Sequence, residues 1–371
     1  MLLAAVLCGC SREVRIDSEP AGRTVLVYMI ASDLDSWLAQ NIEDMKQTAT
    51  AKNLNGGHLV VFYSANAHSA ELFELREGSG GQVTRHHIRD YADASAISAS
   101  TMRQVVRDVV DLYPSASYGM ILSSHGTAWL PADVSPALRA FGDEDGRRME
   151  MSELAAGLPD GLFDFLVFDA CSMAAVECVY ELRGKARRIM ASPSETMRYG
   201  IPYHTVVPLL FTRGEARLDE AARRFYLFYH DEYDEAPFAN IAVVRTAELE
   251  ELALVTREII AGYGGRTAAI FTPPLPDWQL LSHWTGSPTG LYDFADVMSR
   301  MATVEQYVRL SLCLNRAVEA SFTTEYTYCT EGRRTVRIDR FSGLSVYPLQ
   351  SHLASLNARY MQLQWYSDVY Q

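Results

Sequence analysis

The first half of the chain alternates long apolar runs with segments whose apolar residues recur at helical spacing. Ser32 and Asp33, after the first run, read as caps of a helix. Strands buried on both faces appear as continuous apolar runs, and the helices between them cover those faces. The pattern predicts an α/β fold, a three-layer αβα sandwich with a mostly parallel central sheet. The apolar runs are RTVLVYMI (23–30), HLVVFYSA (58–65), YGMILSS (118–124), FDFLVFD (163–169) and RRIMASP (187–193).

The second half of the chain is less regular. It contains a Pro-, Gly- and Trp-rich stretch at 272–290 and helix-like patterns at 294–320 and 351–366. A length of 371 residues suits one large domain or two ordinary ones. We assign residues 22–264 to the main domain and 265–371 to a C-terminal α/β extension, with the junction near the Pro-rich stretch. The sequence leaves open whether the extension is separate or completes the same sheet.

The charge of the chain argues against one class of function. There are 33 basic and 46 acidic residues, so the net charge is −13, and the sequence has no long basic run. Nucleic-acid binding depends on clustered Lys and Arg side chains, so we expect no nucleic-acid partner. The hydrophobic content of 48% is typical of a soluble protein with a packed core.

The N-terminal residues MLLAAVLCGC read as the end of a secretion signal. The motif LCGC (7–10) looks like a bacterial lipobox, which is cut before a cysteine that receives lipid, here Cys10. The apolar run is short and lacks a basic leader, so we place the true start codon upstream of Met1. Residues 1–21 would then be signal and tether. The alternative is a frayed apolar terminus.

Membrane attachment, on this interpretation, would be by lipid alone. No other stretch approaches the roughly 18–20 apolar residues that cross a bilayer. We therefore expect a monomeric lipoprotein of the bacterial cell envelope, at the outer membrane or the cell surface.

Four cysteines remain once Cys8 and Cys10 are assigned to the signal. Four scattered cysteines in so long a chain do not form the pattern of a disulfide framework. Cys171 and Cys178 stand seven residues apart on a predicted helix, about 10 Å from each other. This distance is too long for a disulfide. There is no CxxC and no HExxH motif, so we expect no metal site. The four are Cys171, Cys178, Cys313 and Cys329.

Two of the apolar runs stop at a reactive side chain, in ILSSHGTAW (121–129) and LVFDACSM (166–173). His125 follows the first and Cys171 the second, and the carboxyl ends of parallel strands form the edge where ligands bind. A cysteine nucleophile acts as a thiolate, and a neighbouring imidazole is its usual proton carrier. Cys171 would also lie at the start of a helix, whose positive end favours the anion.

The residue after the histidine is Gly126, whose N–H can approach a substrate carbonyl because glycine has no side chain. With the N–H of Cys171 it could form an oxyanion hole. The alternative for Cys171 alone is a structural role, since free cysteine is among the most buried residue types. The joint pattern of thiol, imidazole, glycine and a nearby acid favours a cysteine hydrolase.

These segments also resemble the motifs of a known family. YGMILSSHGTAW and FDFLVFDACSMAAVECVYEL look like the His-Gly and Asp-Ala-Cys motifs of the clostripain family, caspase-like cysteine peptidases distantly related to gingipains, legumains and separases. VLVYMIASDLD, SPSETMRYGIPY and FSGLSVYPL are similar to further family segments, in the same order over residues 23–350. The chain departs from the family at SSH (123–125), where a WNHG-like sequence is common. This departure affects the expected shape of the pocket next to His125, and the predicted placement of His125 is unchanged.

The resemblance implies a caspase-like fold with His125 and Cys171 as the catalytic dyad and no obligatory third member. It also implies that Asp169 lies in the S1 pocket and selects Arg or Lys at P1, with which a carboxylate can pair. The alternative is that Asp169 caps the following helix. Glu195 and Tyr199 are further candidates for the lining of this pocket.

The loop LPADVSPALRAFGDEDGRRME (130–150) is long and polar. Members of the family are commonly cut after a basic residue in this loop, and the bond between Arg139 and Ala140 is most similar to that processing site. Arg147 and Arg148 are alternative positions. An ordinary exposed loop is the other interpretation.

Three acids of the same loop, Asp143, Glu144 and Asp145, could bind calcium, on which some relatives depend. A solvated acidic turn is the plainer interpretation. We expect no required cofactor, and calcium dependence stays open.

The sequence therefore predicts a cysteine endopeptidase that cleaves after Arg, with Lys as an alternative P1 residue, through an acyl-enzyme. A second hypothesis is an inactive, peptidase-like surface lipoprotein that binds other molecules. The intact set of His125, Gly126, Asp169 and Cys171 counts against it, because a pseudoenzyme has no chemical need of all four. A thiol redox protein would need a resolving cysteine nearby, which the sequence lacks.

Overall fold

A nine-stranded sheet forms the centre of the fold. The computed structural model describes residues 22–66, 69–131, 141–144 and 146–371. The strands are β1 (Thr24–Ile30), β2 (His58–Asn66), β3 (Ser69–Glu77), β4 (Val83–Asp90), β5 (Tyr118–Ser123), β6 (Phe141–Glu144), β7 (Arg147–Met149), β8 (Phe163–Asp169), β9 (Ala186–Ala191), β10 (Asn240–Arg245), β11 (Leu280–Ser282), β12 (Leu291–Asp293), β13 (Val318–Thr323), β14 (Tyr326–Cys329), β15 (Arg334–Arg337) and β16 (Ser345–Val346).

The strand order of the central sheet is β13-β10-β9-β8-β5-β1-β2-β3-β4. Its five middle strands, β9, β8, β5, β1 and β2, run parallel to one another. The two outer strands on each side are antiparallel to their inner neighbours. The prediction of a mostly parallel sheet is therefore confirmed. The smaller sheets are β11-β12-β16, β14-β15 and β6-β7.

Helices cover both faces of this sheet. In the described part of the chain, none of them is long and apolar enough to cross a membrane. The helices are α1 (Asp35–Lys46), α2 (Ala99–Leu112), α3 (Met151–Gly157), α4 (Val176–Glu181), α5 (Tyr203–Leu210), α6 (Leu218–Leu227), α7 (Leu249–Tyr263), α8 (Gly265–Ala268), α9 (Phe294–Ser299), α10 (Val304–Ala317), α11 (Ala354–Tyr360) and α12 (Gln364–Tyr370).

The two faces hold two separate apolar cores. Helices α1, α5 and α6 pack on the face that receives Val27 of β1. Helices α2, α3, α4, α7 and α9 to α12 pack on the opposite face, with Tyr28. Successive side chains of a strand point to opposite faces, so a strand between two cores reads as a continuous apolar run. The three-layer αβα sandwich is therefore confirmed.

The C-terminal part of the chain contributes to the same sheet. β13 pairs antiparallel with β10 at the edge, where Phe322 lies opposite Ile241. Helices α9 to α12 share an apolar core with helices α2 and α4. Residues 265–371 thus complete the sheet and its cover. The boundary at 264 itself stays a prediction.

The helix predicted directly after Cys171 is wrong in extent, because residues 171–174 form turns. Ser172 has a left-handed φ of 59°. Its amide donates to the Ser194 carbonyl at 2.8 Å, so the backbone bonds to a neighbouring segment. The helix α4 begins only at Val176.

Two stretches predicted as single helices, 294–320 and 351–366, are each interrupted. The stretch 294–320 contains two helices, since Thr303 and Gln306 form a capping box that starts α10 afresh. Its last residues belong to strand β13. The stretch 351–366 likewise holds α11 and the start of α12, with a break at residues 361–363.

The pairing of β5 with β8 requires glycine at position 119. Gly119 lies opposite Phe165, and a Cβ added to Gly119 would overlap the Phe165 ring. We expect Gly119→Ala to lower the free energy of unfolding by about 1–3 kcal/mol, because an extra methyl group displaces its packed neighbours. Urea denaturation measures the change. Gly80→Ala is the matched control, since no atom lies within 4 Å of that added Cβ. Equal losses in both variants would contradict this account.

Candidate active site

The ends of β5 and β8 bring the predicted site residues together. Ser123 pairs with Asp169, and the Ser124 amide donates to the Asp169 carbonyl at 3.3 Å. His125 and Cys171 each lie two residues beyond these paired ends. Both line one open cleft with a cavity volume of about 670 Å³.

Gly126 lines the same cleft and lies against the backbone of Cys171. A Cβ at Gly126 would stand 2.5 Å from the Cys171 carbonyl oxygen, so a side chain does not fit. Neither the Gly126 N–H nor the Cys171 N–H donates a hydrogen bond to any residue that the structure describes. Two unused amides beside a thiol can stabilise the oxyanion that forms when a carbonyl is attacked.

The Cys171 thiol is half-buried, and the Thr196 amide donates to its Sγ at 3.2 Å. Burial raises the pKa of the thiol to about 12, and the charges of Glu195 and Asp169 contribute to this increase. The Thr196 amide and the Arg148 charge act in the opposite direction but do not outweigh burial. The expected stabilisation of the thiolate by a helix start is wrong, because a turn separates Cys171 from α4. The thiol is therefore protonated at neutral pH.

The imidazole of His125 contacts a carboxylate that the sequence analysis did not place in the site. His125 Nε2 lies 2.6 Å from Asp33 Oδ1. Asp33 follows β1, the neighbour of β5, so it lies at the same edge of the sheet. Burial acts to raise the pKa of Asp33, but the hydrogen bond and charge of His125 outweigh it, and the pKa is lowered.

The prediction that Ser32 and Asp33 cap the next helix is wrong, since no side chain makes a cap hydrogen bond there. Ser32 has a left-handed φ of 46°, and its hydroxyl donates to Asp143 at 3.2 Å. The signal for Asp33 was present in VLVYMIASDLD, because an acid just beyond a central parallel strand reaches the ligand-binding edge.

Asp169 is a buried carboxylate that accepts three hydrogen bonds. Burial nevertheless raises the pKa of Asp169 to about 6. None of its donors belongs to the segment that follows Cys171, so the helix-cap alternative is wrong. The donors are the Tyr203 hydroxyl at 2.8 Å, the Ser123 hydroxyl at 3.0 Å and the Ile201 amide at 3.1 Å.

A small cavity of about 70 Å³ is lined by both Asp169 and Cys171. Asn41 of α1 also lines it, and the Asn41 Nδ2 is buried without an acceptor in the described part of the chain. Gly200 has φ 72°, and a Cβ there would stand 2.5 Å from Asp169 Oδ1. The cavity thus offers a carboxylate and an amide to a side chain that enters beside the thiol. No sequence pattern indicated Asn41, because its position depends on how α1 packs.

Neither of the other two predicted pocket residues lines the small cavity beside Asp169. Glu195 is buried in the wall of the larger cleft and accepts a hydrogen bond from the Thr330 amide at 2.9 Å. Tyr199 lines neither cavity, and its ring packs instead against Phe228 and Tyr233. The prediction for Tyr199 is therefore wrong.

The acidic loop residues bond to donors within the protein. Asp143 accepts from the Arg148 side chain at 2.9 Å, and Glu144 accepts from the Ala96 amide at 2.8 Å. Within the ranges described, no three His, Cys, Asp or Glu side chains are grouped to hold a metal ion. Asp145 lies outside those ranges, as do Cys10, Arg139 and Ala140, and the predictions for these residues stay untested.

Comparison with known proteins identifies similar sequences and structures. The family model for the clostripain family, Peptidase C11, matches residues 27–329. An inactive zymogen C11 protease from Parabacteroides distasonis is 32% identical, with a TM-score of 0.84 over 95% of this chain and 99% of that one. No curated protein is a significant match.

Two structures from Bacteroides thetaiotaomicron are also similar. A secreted C11 cysteine protease is 27% identical, with a TM-score of 0.82 over 94% of this chain and 99% of that one, and was also solved with an irreversible peptide inhibitor. A clostripain in complex with the peptide inhibitor BTN-VLTK-AOMK is 27% identical, with a TM-score of 0.52 over 62% of this chain and 97% of that one.

The raised pKa of Cys171 predicts slow alkylation, since only the thiolate reacts. At about pH 7.5 we expect iodoacetamide to label Cys171 at least about tenfold more slowly than a cysteine in a short peptide. The rate should increase with pH toward the pKa of about 12. Mass spectrometry of the labelled peptide measures this rate. Glu195→Gln removes a nearby charge and should react faster. A peptide-like rate that is constant above about pH 7 would show that the thiolate is already formed.

Proposed function

The chain belongs to the clostripain family of cysteine proteases, and we propose that it is an endopeptidase that cleaves after Arg, with Lys as a second P1 residue. One observation carries this proposal: His125, Gly126 and Cys171 line a single cleft at the carboxyl ends of neighbouring strands. Peptide hydrolysis needs a proton carrier, an oxyanion donor and a nucleophile, and these residues supply one each.

The first half of the reaction transfers the acyl group to the enzyme. His125 takes the proton of the Cys171 thiol, which is protonated at rest, and the sulfur forms a bond to the carbonyl carbon. The Gly126 and Cys171 amides donate to the resulting oxyanion. When the C–N bond breaks, His125 gives the proton to the leaving amine, and a thioester on Cys171 remains.

The second half restores the enzyme. A water molecule gives a proton to His125 and attacks the thioester carbon, and the same two amides donate to the second oxyanion. The C–S bond then breaks, a peptide with a new carboxyl terminus leaves, and the sulfur recovers its proton from His125.

Asp33 acts in this scheme as a positioning residue for His125. The 2.6 Å contact between Asp33 Oδ1 and His125 Nε2 fixes the ring and leaves its other nitrogen for the proton transfer. The carboxylate also favours the imidazolium that forms after proton transfer. The family resemblance predicted a dyad without an obligatory third member, so this residue is an addition proposed from the geometry.

Selection of a basic P1 residue is assigned to the small cavity beside the thiol. Asp169 offers a carboxylate there, which can pair with a guanidinium or an ammonium group. The related clostripain was solved with the inhibitor BTN-VLTK-AOMK, in which K closes the peptide sequence. This relative supports a cationic P1 side chain in the family.

Processing and anchoring complete the proposal. We assign a self-cleavage site to the bond after Arg139 and a lipid anchor to Cys10. A similar protein is an inactive zymogen and another is secreted, which supports activation by cleavage and a location outside the cytoplasm. The Gly142 amide, just beyond the processing segment, donates to the His125 carbonyl at 3.0 Å. A change at the processing site can thus reach His125.

The direct test compares fluorogenic peptides with Arg, Lys, Asp or Leu at P1. We expect purified protein to cleave the Arg peptide fastest, then Lys, and Cys171→Ala to cleave none. Mass spectrometry run in parallel should find a cut after Arg139 only in the active form. Cleavage of the Asp or Leu peptide would agree with Cys171 as the nucleophile but would reject the role of Asp169 in selecting P1. Inactivity on every peptide, with or without calcium and reductant, would favour the binding lipoprotein.

The raised pKa of Asp169 predicts a pH-dependent P1 preference. We compare kcat/KM for P1 Arg with that for P1 citrulline, its uncharged isostere, because the ratio cancels the titration of the dyad. A raised pKa means that the proton is bound below about pH 6, so the Arg/citrulline ratio should fall as the pH falls through about 6. In Asp169→Asn the ratio should lie near one at every pH. A wild-type ratio that is constant from about pH 5 to 8 would reject this assignment.

Removal of the Asp33 charge should weaken catalysis without abolishing it. We expect Asp33→Asn to lower kcat by about threefold to tenfold with little change in KM, since the charged hydrogen bond is partly exposed to water. Asp33→Glu should recover part of the activity, and Asp111→Asn on the exposed face of α2 is the control. A kcat of Asp33→Asn equal to that of the wild type would contradict this role of Asp33.

A further inference from the structure

The cleft that holds Cys171 has an excess of positive side chains, although the whole chain has a net charge of −13. Three guanidinium groups line it, those of Arg148, Arg198 and Arg333. Among the described residues that line the cleft, Glu195 is the one with a carboxyl group. This local charge is opposite in sign to that of the protein as a whole.

The three arginines differ in whether their charge is already neutralised. Arg148 has an acidic partner, because its Nε donates to Asp143 at 2.9 Å. Arg198 and Arg333 are exposed, and neither guanidinium has a carboxylate partner in the ranges that the structure describes. Glu195 does not serve them, since it is buried against the Thr330 amide and burial raises its pKa to about 7.

Arg198 has a second position of interest, because it also lines the small cavity with Asp169. It stands two residues after Thr196, whose amide contacts the nucleophilic sulfur. A basic P1 side chain that enters this cavity therefore meets one carboxylate and one guanidinium. An acidic substrate residue beside P1 would supply the missing negative charge.

Arg333 lies in the wall of the cleft together with two aromatic residues. Trp284 and Tyr328 line the same cavity, and the Trp284 side chain is almost fully buried. The cleft thus contains two separate positions at which a substrate carboxylate would find an unused guanidinium.

We propose that this protease prefers substrates with an acidic residue within two positions of the basic P1 residue, bound by Arg198 and Arg333. The proposal rests on the proposed function, because it names the substrate class of the same site. It adds a charge requirement outside the S1 pocket, which Asp169 does not supply.

The experiment uses paired peptides that differ only in Glu against Gln at P3, P2, P1′ or P2′, each with Arg at P1. For purified protein we expect the kcat/KM ratio of Glu to Gln to be about three or more at one or more positions, the size of one or two partly exposed ion pairs. Arg198→Ala and Arg333→Ala should each bring a ratio toward one. Arg103→Ala, an exposed arginine on α2 outside the cleft, should leave the ratios unchanged. Raising the salt concentration from about 20 to about 500 mM should lower the Glu-to-Gln ratios of the unmodified protein.

The readouts separate this inference from the proposed function. Cleavage of the Gln peptides tests the protease assignment, whereas the ratio tests the charge preference. If no peptide is cleaved, the same pairs are compared by fluorescence anisotropy as ligands of Cys171→Ala, and the ratio of Kd values replaces that of kcat/KM. Ratios at or below one at all four positions, or ratios that persist in both cleft variants, would overturn the proposal.

Discussion

The parallel pairing of β5 with β8 is the contact on which the active site depends. Its register places Ser123 opposite Asp169, and the two strands release His125 and Cys171 at the same level. A shift of one residue would turn the buried side chains of a strand to the wrong face, so the two apolar cores fix this register strongly. The close fit of Gly119 against the Phe165 ring also stabilises the pairing of β5 with β8. The relative position of His125 and Cys171 is thus determined by core packing.

Part of the site could be predicted because the end of a buried strand is visible in the sequence as the end of an apolar run. The apolar runs before His125 and Cys171 identified both residues and the edge at which they meet. The environment of the thiol could not be predicted, since it depends on Glu195 and on burial by segments distant in the chain. The start of the helix after Cys171 was predicted wrongly for a related reason. Residues there have helical spacing, but the backbone of Ser172 donates to the Ser194 carbonyl instead of continuing a helix.

The electrostatics of the site explain why an imidazole is needed at all. Burial of the sulfur disfavours a negative charge there, and the charges of Glu195 and Asp169 act in the same direction, so the Cys171 thiol keeps its proton. In the proposed mechanism His125, which contacts Asp33, has to remove this proton.

The strand order has a consequence for a molecule cut after Arg139. The cut divides the nine-stranded sheet between β5 and β8, with β1 to β5 on one polypeptide and β8, β9, β10 and β13 on the other. His125 and Cys171 then belong to different chains. Such a cut molecule would consist of two chains that meet through a continuous sheet and two apolar cores. Each half would present a bare central strand edge if it were made alone, so neither is expected to fold without the other.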